Sequence, residues 1–320
     1  ERVRNEQAAK NRTENHIMPK GLMDRRAVLM NAGLLAVATA VARLADGVGS
    51  AFAQGAQPGP PAAATGSAPA NSPPVATPLA VEAGEPFQPD LVRKLAEKLA
   101  TKPFVKPAVE VPEPFNKLTY DQYRDIRFRV EQALWRQEKL DFEVQMFPLG
   151  FLYDAPVEIF AVDAGRARPL KADGRLFALG PLVVKGPESK PPDAFSGFRI
   201  HGPINRSDYY DEYAVFQGAT YFRSVGRGQH YGMSARGLAI NTARPGGEEF
   251  PMFRSFWIEK PAAGSPAIVV HALLDSASTT GAYKFTIQPG AATVMDIEMT
   301  LYPRQAIAHV GVAPLTSMFL

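Results

Sequence analysis

The hydrophobic pattern changes period along this chain, and the change divides it. In "FQPDLVRKLAEKLAT" (87–101), Leu91, Leu95 and Leu99 recur at helical spacing with charged residues between them, which predicts an amphipathic helix. "TYDQ" at 119–122 has the form of a capping box, in which Thr and Gln side chains satisfy the first backbone N–H groups of a helix. From residue 126 onward the period falls to two. "IRFRV" alternates, and in "LDFEVQM" Leu140, Phe142, Val144 and Met146 face one way while Asp141, Glu143 and Gln145 face the other. "PVEIFAV", "ATYFRSV", "SFWIEK", "AIVVHALLD", "AYKFTIQ" and "ATVMDIEMTLY" follow, separated by Gly, Pro and Asp turns. Many strands without long intervening helices predict a mainly β fold, a large antiparallel β-sandwich or barrel with one or two short N-terminal helices. With no βαβ alternation and no GxGxxG, a dinucleotide fold is excluded.

The first 86 residues read differently. Arg25-Arg26, the apolar stretch from Ala27 to Ala42 and the Ala51-Phe52-Ala53 triplet together form a signal peptide over 23–53, with cleavage expected between Ala53 and Gln54. The apolar run is shorter than the roughly twenty residues of a spanning helix. "DRRAVLM" also resembles the twin-arginine export pattern, so the expected destination is a bacterial periplasm. Residues 1–22 read as an upstream extension, with initiation at Met23 or Met18. Residues 54–86 are rich in Pro, Ala and Gly with almost no bulky apolar side chain, which predicts a disordered or extended linker.

Charge sharpens that division. The chain carries 35 Lys/Arg against 32 Asp/Glu, a net +3. Residues 1–53 hold eight basic and five acidic side chains, so residues 54–320 hold 27 of each and are neutral. No basic stripe remains to displace counterions from a polyphosphate, and nucleic acid is excluded as a partner. The absence of cysteine removes disulfides, thiolate metal sites and a thiol nucleophile. The five histidines are scattered, with no metal-ligand spacing, and neither a metal nor a cofactor is expected.

Candidate chemistry concentrates in two places. Residues 195–231 hold nine aromatics interleaved with Arg199, Arg206, Arg223 and Arg227. Tyrosines with polar neighbours suit a sugar, whose C–H face stacks on a ring while its hydroxyls find partners; the same run also suits a sandwich core with hydroxyls at its rim. "YGMSARG" approaches the G-x-S-x-G nucleophile elbow, but Gly232 and Gly237 are five apart and "GLAIN" after it reads as a strand, so Ser234 is a poor nucleophile candidate. In "LLDSASTTGAYKF", Asp275 ends an apolar strand, either capping its own turn or presenting a carboxylate to a groove. Glu248 and Glu249 in "GGEEF" are further loop carboxylates; glycoside hydrolysis needs a positioned pair.

The blocks "FQGATYFRSVGRGQHYGMSARGLAINT", "EEFPMFRSFWIEKP" and "ALLDSASTTGAYKFTI" closely resemble the periplasmic glucans biosynthesis family, and "LTYDQYRDIRF" and the terminal "GVAPLTSMFL" extend the resemblance over 87–320. The twin-arginine pattern points to its D type. The resemblance implies a galactose-mutarotase-like β-sandwich with an aromatic, acidic cleft, followed by a small immunoglobulin-like domain, and a role with β-1,2-glucan. It implies that D-type proteins are inverting endo-β-1,2-glucanases using two aspartates. Those aspartates follow the "APLTSMF" block, past Leu320, so the terminal apolar run reads as an interrupted sandwich and this length of chain as inactive alone. A buried C-terminal edge strand is the other reading of that run. Tyr221, Arg223, Tyr231, Arg236 and Asp275 lie in the shared blocks and are the residues expected to line or support the glucan cleft. Two function classes stay open: a hydrolase of β-1,2-glucan when full length, or a non-catalytic binder that holds glucan, with inner-membrane synthesis components as further partners.

The export reading has a direct test. N-terminal sequencing of the protein recovered from a periplasmic fraction is expected to begin at Gln54; a start upstream of Met23 overturns it.

Overall fold

The computed structural model describes residues 86–183, 189–230 and 232–316. The expected signal peptide with Arg25, Arg26, Ala53 and Gln54, nearly all of the linker, and Tyr231 lie outside these residues. Helix α1 (Asp90–Ala100) forms where the leucine spacing predicts it, but its most buried stripe is Val92, Ala96 and Leu99. Leu91 and Leu95 pack on the flank of that stripe. The short helix α2 (Tyr120–Arg124) starts in the expected capping box. Thr119 Oγ1 accepts from the Gln122 N–H at 3.3 Å, and Gln122 Oε1 accepts from the Thr119 N–H at 2.8 Å.

The strands run in chain order as β1 (Ile126–Phe128), β2 (Glu143–Pro148), β3 (Glu158–Asp163), β4 (Arg166–Pro169), β5 (Phe177–Leu179) and β6 (Phe195–Arg206). They continue as β7 (Tyr209–Gln217), β8 (Tyr221–Ser224), β9 (Met233–Arg236), β10 (Leu238–Ile240) and β11 (Met252–Glu259). The remainder are β12 (Ile268–Asp275), β13 (Thr279–Gln288), β14 (Val294–Pro303), β15 (Val310–Val312) and β16 (Leu315–Thr316). A first six-stranded sheet has the order β14-β13-β12-β11-β3-β4, and a second has β16-β9-β8-β7-β6-β2. β1–β5 and β10–β15 form two small ladders beside them. The architecture is mainly β with antiparallel sheets, as the period-two pattern predicts. One pair departs from it: β3 and β11 run parallel, with Ser255 opposite Glu158 and Glu259 opposite Val162. After β4 the chain leaves the first sheet, builds most of the second, and re-enters the first at β11 beside β3, a return that local periodicity does not encode.

β6 and β7 are absent from the sequence-based expectation, although β6 is the longest strand described. Gly197, Gly202 and Pro203 interrupt its pattern. The glycines are there because neighbouring strands come close. A Cβ at Gly197 would lie 2.2 Å from the Phe216 carbonyl oxygen, and one at Gly202 would lie 2.8 Å from that of Asp141.

Aromatic rings fill the space between the sheets. Phe198, Phe216 and Phe222 of the second sheet meet Phe253, Phe256 and Phe285 of the first. Phe216 lies 5.0 Å from both Phe198 and Phe285, and Phe198 lies 5.0 Å from Phe256. The edge-to-face contacts between the sheets add about 0.5–1.5 kcal/mol per pair beyond simple burial. The aromatic run 195–231 therefore divides: Phe195, Phe198, Tyr213, Phe216 and Phe222 are core, whereas Tyr209 is exposed and Tyr210 and Tyr221 are half-buried.

The first sheet is covered on its other face as well, by α1. Val92, Ala96 and Leu99 pack with Trp257, Leu273 and Ala282, and Trp257 stacks on Phe160 at 5.2 Å. Asp275 stands behind this interface with 0% exposure. Its carboxylate neither caps its turn nor faces a groove. Oδ2 accepts from Arg254 at 2.6 Å and Oδ1 from Arg304 at 2.8 Å. Arg304 in turn donates to the Leu99 and Lys102 carbonyls at 2.9 and 2.8 Å, satisfying the end of α1. Ser276 takes the turn role instead, its Oγ accepting from the Thr279 N–H at 3.3 Å.

Removing Asp275 would leave two guanidiniums buried without their counter-charge. Asp275→Ala is expected to cost about 3–5 kcal/mol in urea unfolding; a loss below about 1 kcal/mol would contradict this anchoring role.

Candidate functional site on the outer face of the second sheet

Strand alternation builds the site from the core outward. Phe198, Phe216, Phe222 and Ala235 point inward, so their neighbours point to the opposite face of the second sheet. The register sets Gln145, Arg199, Val215, Arg223 and Ser234 side by side across five strands. One row further along the strands, Phe147 stands opposite Gly197 and Gln217 opposite Gly197's other side, while Tyr221 pairs with Arg236. Glu212 enters beside this row because a bulge in β7 places it opposite His201.

Two charge clusters result. Glu212 accepts from Arg199 at 3.2 Å on Oε2 and from Arg223 at 2.8 Å on Oε1. All three side chains keep roughly a fifth to a quarter of their surface exposed (25%, 28% and 19% for Arg199, Glu212 and Arg223). The Arg199 guanidinium also lies 5.2 Å from the Phe147 ring centroid. In the second cluster, Arg236 sits 5.7 Å from both the Tyr221 and Phe250 rings and is paired with Glu248. Thr242 Oγ1 donates to the same Glu248 oxygen at 2.9 Å.

A tyrosine-rich corner adjoins these clusters. Gln217 Nε2 donates to the Tyr123 hydroxyl at 2.7 Å and to Ser196 Oγ at 3.0 Å, and both hydroxyls donate to the Pro148 carbonyl. The Tyr153 ring lies 5.3 Å from that of Tyr123 and covers the turn at Gly218, where a Cβ would come within 3.2 Å of it. Tyr153, Gln217, Gly218 and Tyr221 line a cavity of about 70 Å³ together with Phe216, Met252, Phe253 and Phe256, residues between the sheets. Burial pushes the Tyr153 phenol up to about 12 and raises those of Tyr123 and Tyr221, so all three are neutral hydrogen-bonding groups at physiological pH.

Of the residues singled out in the sequence, Tyr221, Arg223 and Arg236 come together on this face. Asp275 does not; it is the buried anchor described above. Ser234 lies within β9 and the chain continues into β10, so the strand-to-helix turn of a nucleophile elbow is missing. Glu248 reaches Arg236, whereas Glu249 turns the other way and accepts from the Ser278 N–H at 2.9 Å and its hydroxyl at 2.5 Å. Phe147, Tyr153, Glu212 and Gln217 are the members that sequence reasoning missed. Glu212 and Gln217 lie on β7, which the sequence pattern does not predict, while Phe147 and Tyr153 join them only through the pairing of β2 with β6 and the packing of Tyr153 over Gly218. Among the described residues no group of three or more His, Cys, Asp or Glu side chains is arranged to hold a metal ion, and no helix is long and apolar enough to cross a membrane.

Comparison with known proteins agrees with the resemblance read from the blocks. A family model described as "Periplasmic glucan biosynthesis protein, MdoG" matches residues 87–320. The chain is 54% identical over 239 residues to glucans biosynthesis protein G of Rhodopseudomonas palustris, covering 73% of this chain and 46% of that protein. It is 47% identical over 280 residues to glucans biosynthesis protein G of Shewanella sp. (strain ANA-3), covering 85% of this chain and 50% of that protein. The chain thus spans about half the length of these curated relatives. Both carry the G designation, and the D-type assignment rests on the arginine pair alone. With the family model matching residues 87–320 and relatives at 47–54% identity, the chain belongs to the periplasmic glucan biosynthesis (MdoG) family.

Proposed function

We propose that this chain is the glucan-holding part of a periplasmic protein of glucan biosynthesis, and that the outer face of the second sheet is where β-1,2-glucan lies. The observation that carries the reading is the mixture on that face: neutral phenols and the Phe147 ring beside half-buried, mutually paired charges. Aromatic rings take the apolar faces of pyranose units, and fixed donors and acceptors take the hydroxyls. A net charge of zero over residues 54–320 suits a neutral polymer. The family's description and the export signal expected over 23–53 support a periplasmic location.

Binding rather than cleavage is the role these residues favour. Glu143, Glu212 and Glu248 are each paired with an arginine, so the carboxylates of this face are held by neighbouring side chains and do not stand as a free acid and base pair. In the hydrolase reading, an inverting endo-β-1,2-glucanase, the acid and base belong to the part of the longer family proteins that this chain does not match. Inner-membrane synthesis components remain partners in the binding reading.

Isothermal titration of the chain with linear β-1,2-glucan tests the assignment. Binding is expected, with Tyr221→Ala and Arg223→Ala each weakening it at least tenfold while leaving the unfolding transition in place. Wild-type affinity in both variants would move the site elsewhere.

A further inference from the structure

Resting on the glucan reading of this face, we infer that the Arg199–Glu212–Arg223 triad reads a vicinal diol, the adjacent 3- and 4-hydroxyls of a glucose unit. An ionised carboxylate offers about four lone-pair sites. Arg199 uses one on Oε2 and Arg223 one on Oε1, so the carboxylate plane is fixed and each oxygen keeps capacity for one more donor. Two neighbouring hydroxyls supply those donors at matching spacing, each proton going to its own oxygen.

The surroundings narrow the ligand further. Val215 lies in register between Arg199 and Arg223, an apolar floor for ring C–H groups beneath the polar edge. A dianionic ligand would confront Glu212, and a cation would confront two guanidiniums. A neutral polyhydroxylated ring meets neither penalty. The linkage then matters. A 1,2-linked glucose unit keeps its 3- and 4-hydroxyls free and adjacent, whereas an internal 1,3-linked unit has no two adjacent free hydroxyls. The triad therefore makes the face discriminate against 1,3-linked glucan, whose internal units lack the diol.

The test compares ligands on the same chain. β-1,2-Glucan is oxidised with periodate, which cleaves the C3–C4 bond of the diol, and then reduced with borohydride. Binding is measured by titration for native polymer, treated polymer and β-1,3-glucan. At least a tenfold loss is expected for the latter two. Glu212→Gln should weaken native polymer about tenfold and leave the residual binding of treated polymer unchanged. Arg223→Lys, which keeps the charge but loses the planar fork, should behave alike. Native polymer binding with treated polymer or β-1,3-glucan equally tight overturns the diol inference and leaves the glucan site standing. No binding of native polymer overturns both. The ligand comparison needs no variant, so a misfolded substitution does not rescue the proposal.

Discussion

The contact on which the rest depends is the aromatic packing between the sheets, centred on Phe216. It touches Phe198 and Phe222 within its own sheet and Phe256 and Phe285 across the gap. Side chains alternate along a strand, so turning these rings inward turns Arg199, Val215, Gln217, Tyr221 and Arg223 outward. A slip of one residue in β8 would bury Arg223 in the aromatic layer and expel Phe222. The bulge in β7 adds one exception to strict alternation, and it is the exception that sets Glu212 beside the two arginines.

The sheets then diverge because only one of them is covered by α1. In β11 to β13 the first sheet is buried on both faces, and its buried charges have structural partners: Asp275 is enclosed by Arg254 and Arg304, and His271 Nε2 meets Glu259 at 2.6 Å. The second sheet keeps an open outer face, and its charges are paired but reachable. Asp275 and Glu212 make the contrast plain. Each carboxylate is held by two arginines, yet one has no exposed surface and joins a helix to a sheet, while the other is 28% exposed. The same pairing is sealed inside the fold in one sheet and left reachable in the other.

That contrast also explains the limits of reading acidic motifs along the chain. "GGEEF" places two carboxylates side by side, and the fold sends Glu248 to Arg236 and Glu249 to Ser278. Asp275 ends a strand as a groove carboxylate would, but β12 lies beneath the helix. What a carboxylate can do here depends on which sheet it belongs to.

Much of the architecture is legible in the sequence because local periodicity reflects local burial. The change of period at residue 126, the capping box at Thr119, the apolar runs of β11 and β12 and the alternation in β14 are each written within a few residues. The family blocks add Tyr221, Arg223 and Arg236 as site candidates. Only the tertiary structure decided the rest: the parallel return of β11 beside β3, the course of β6 through its close-packed glycines, and the meeting of Phe147, Arg199, Glu212 and Arg223. Those residues lie on β2, β6, β7 and β8, and nothing in their spacing along the chain marks them as neighbours. Pairing between strands, which depends on side-chain packing far from the hydrogen bonds themselves, is the physical step that brought them into one cluster.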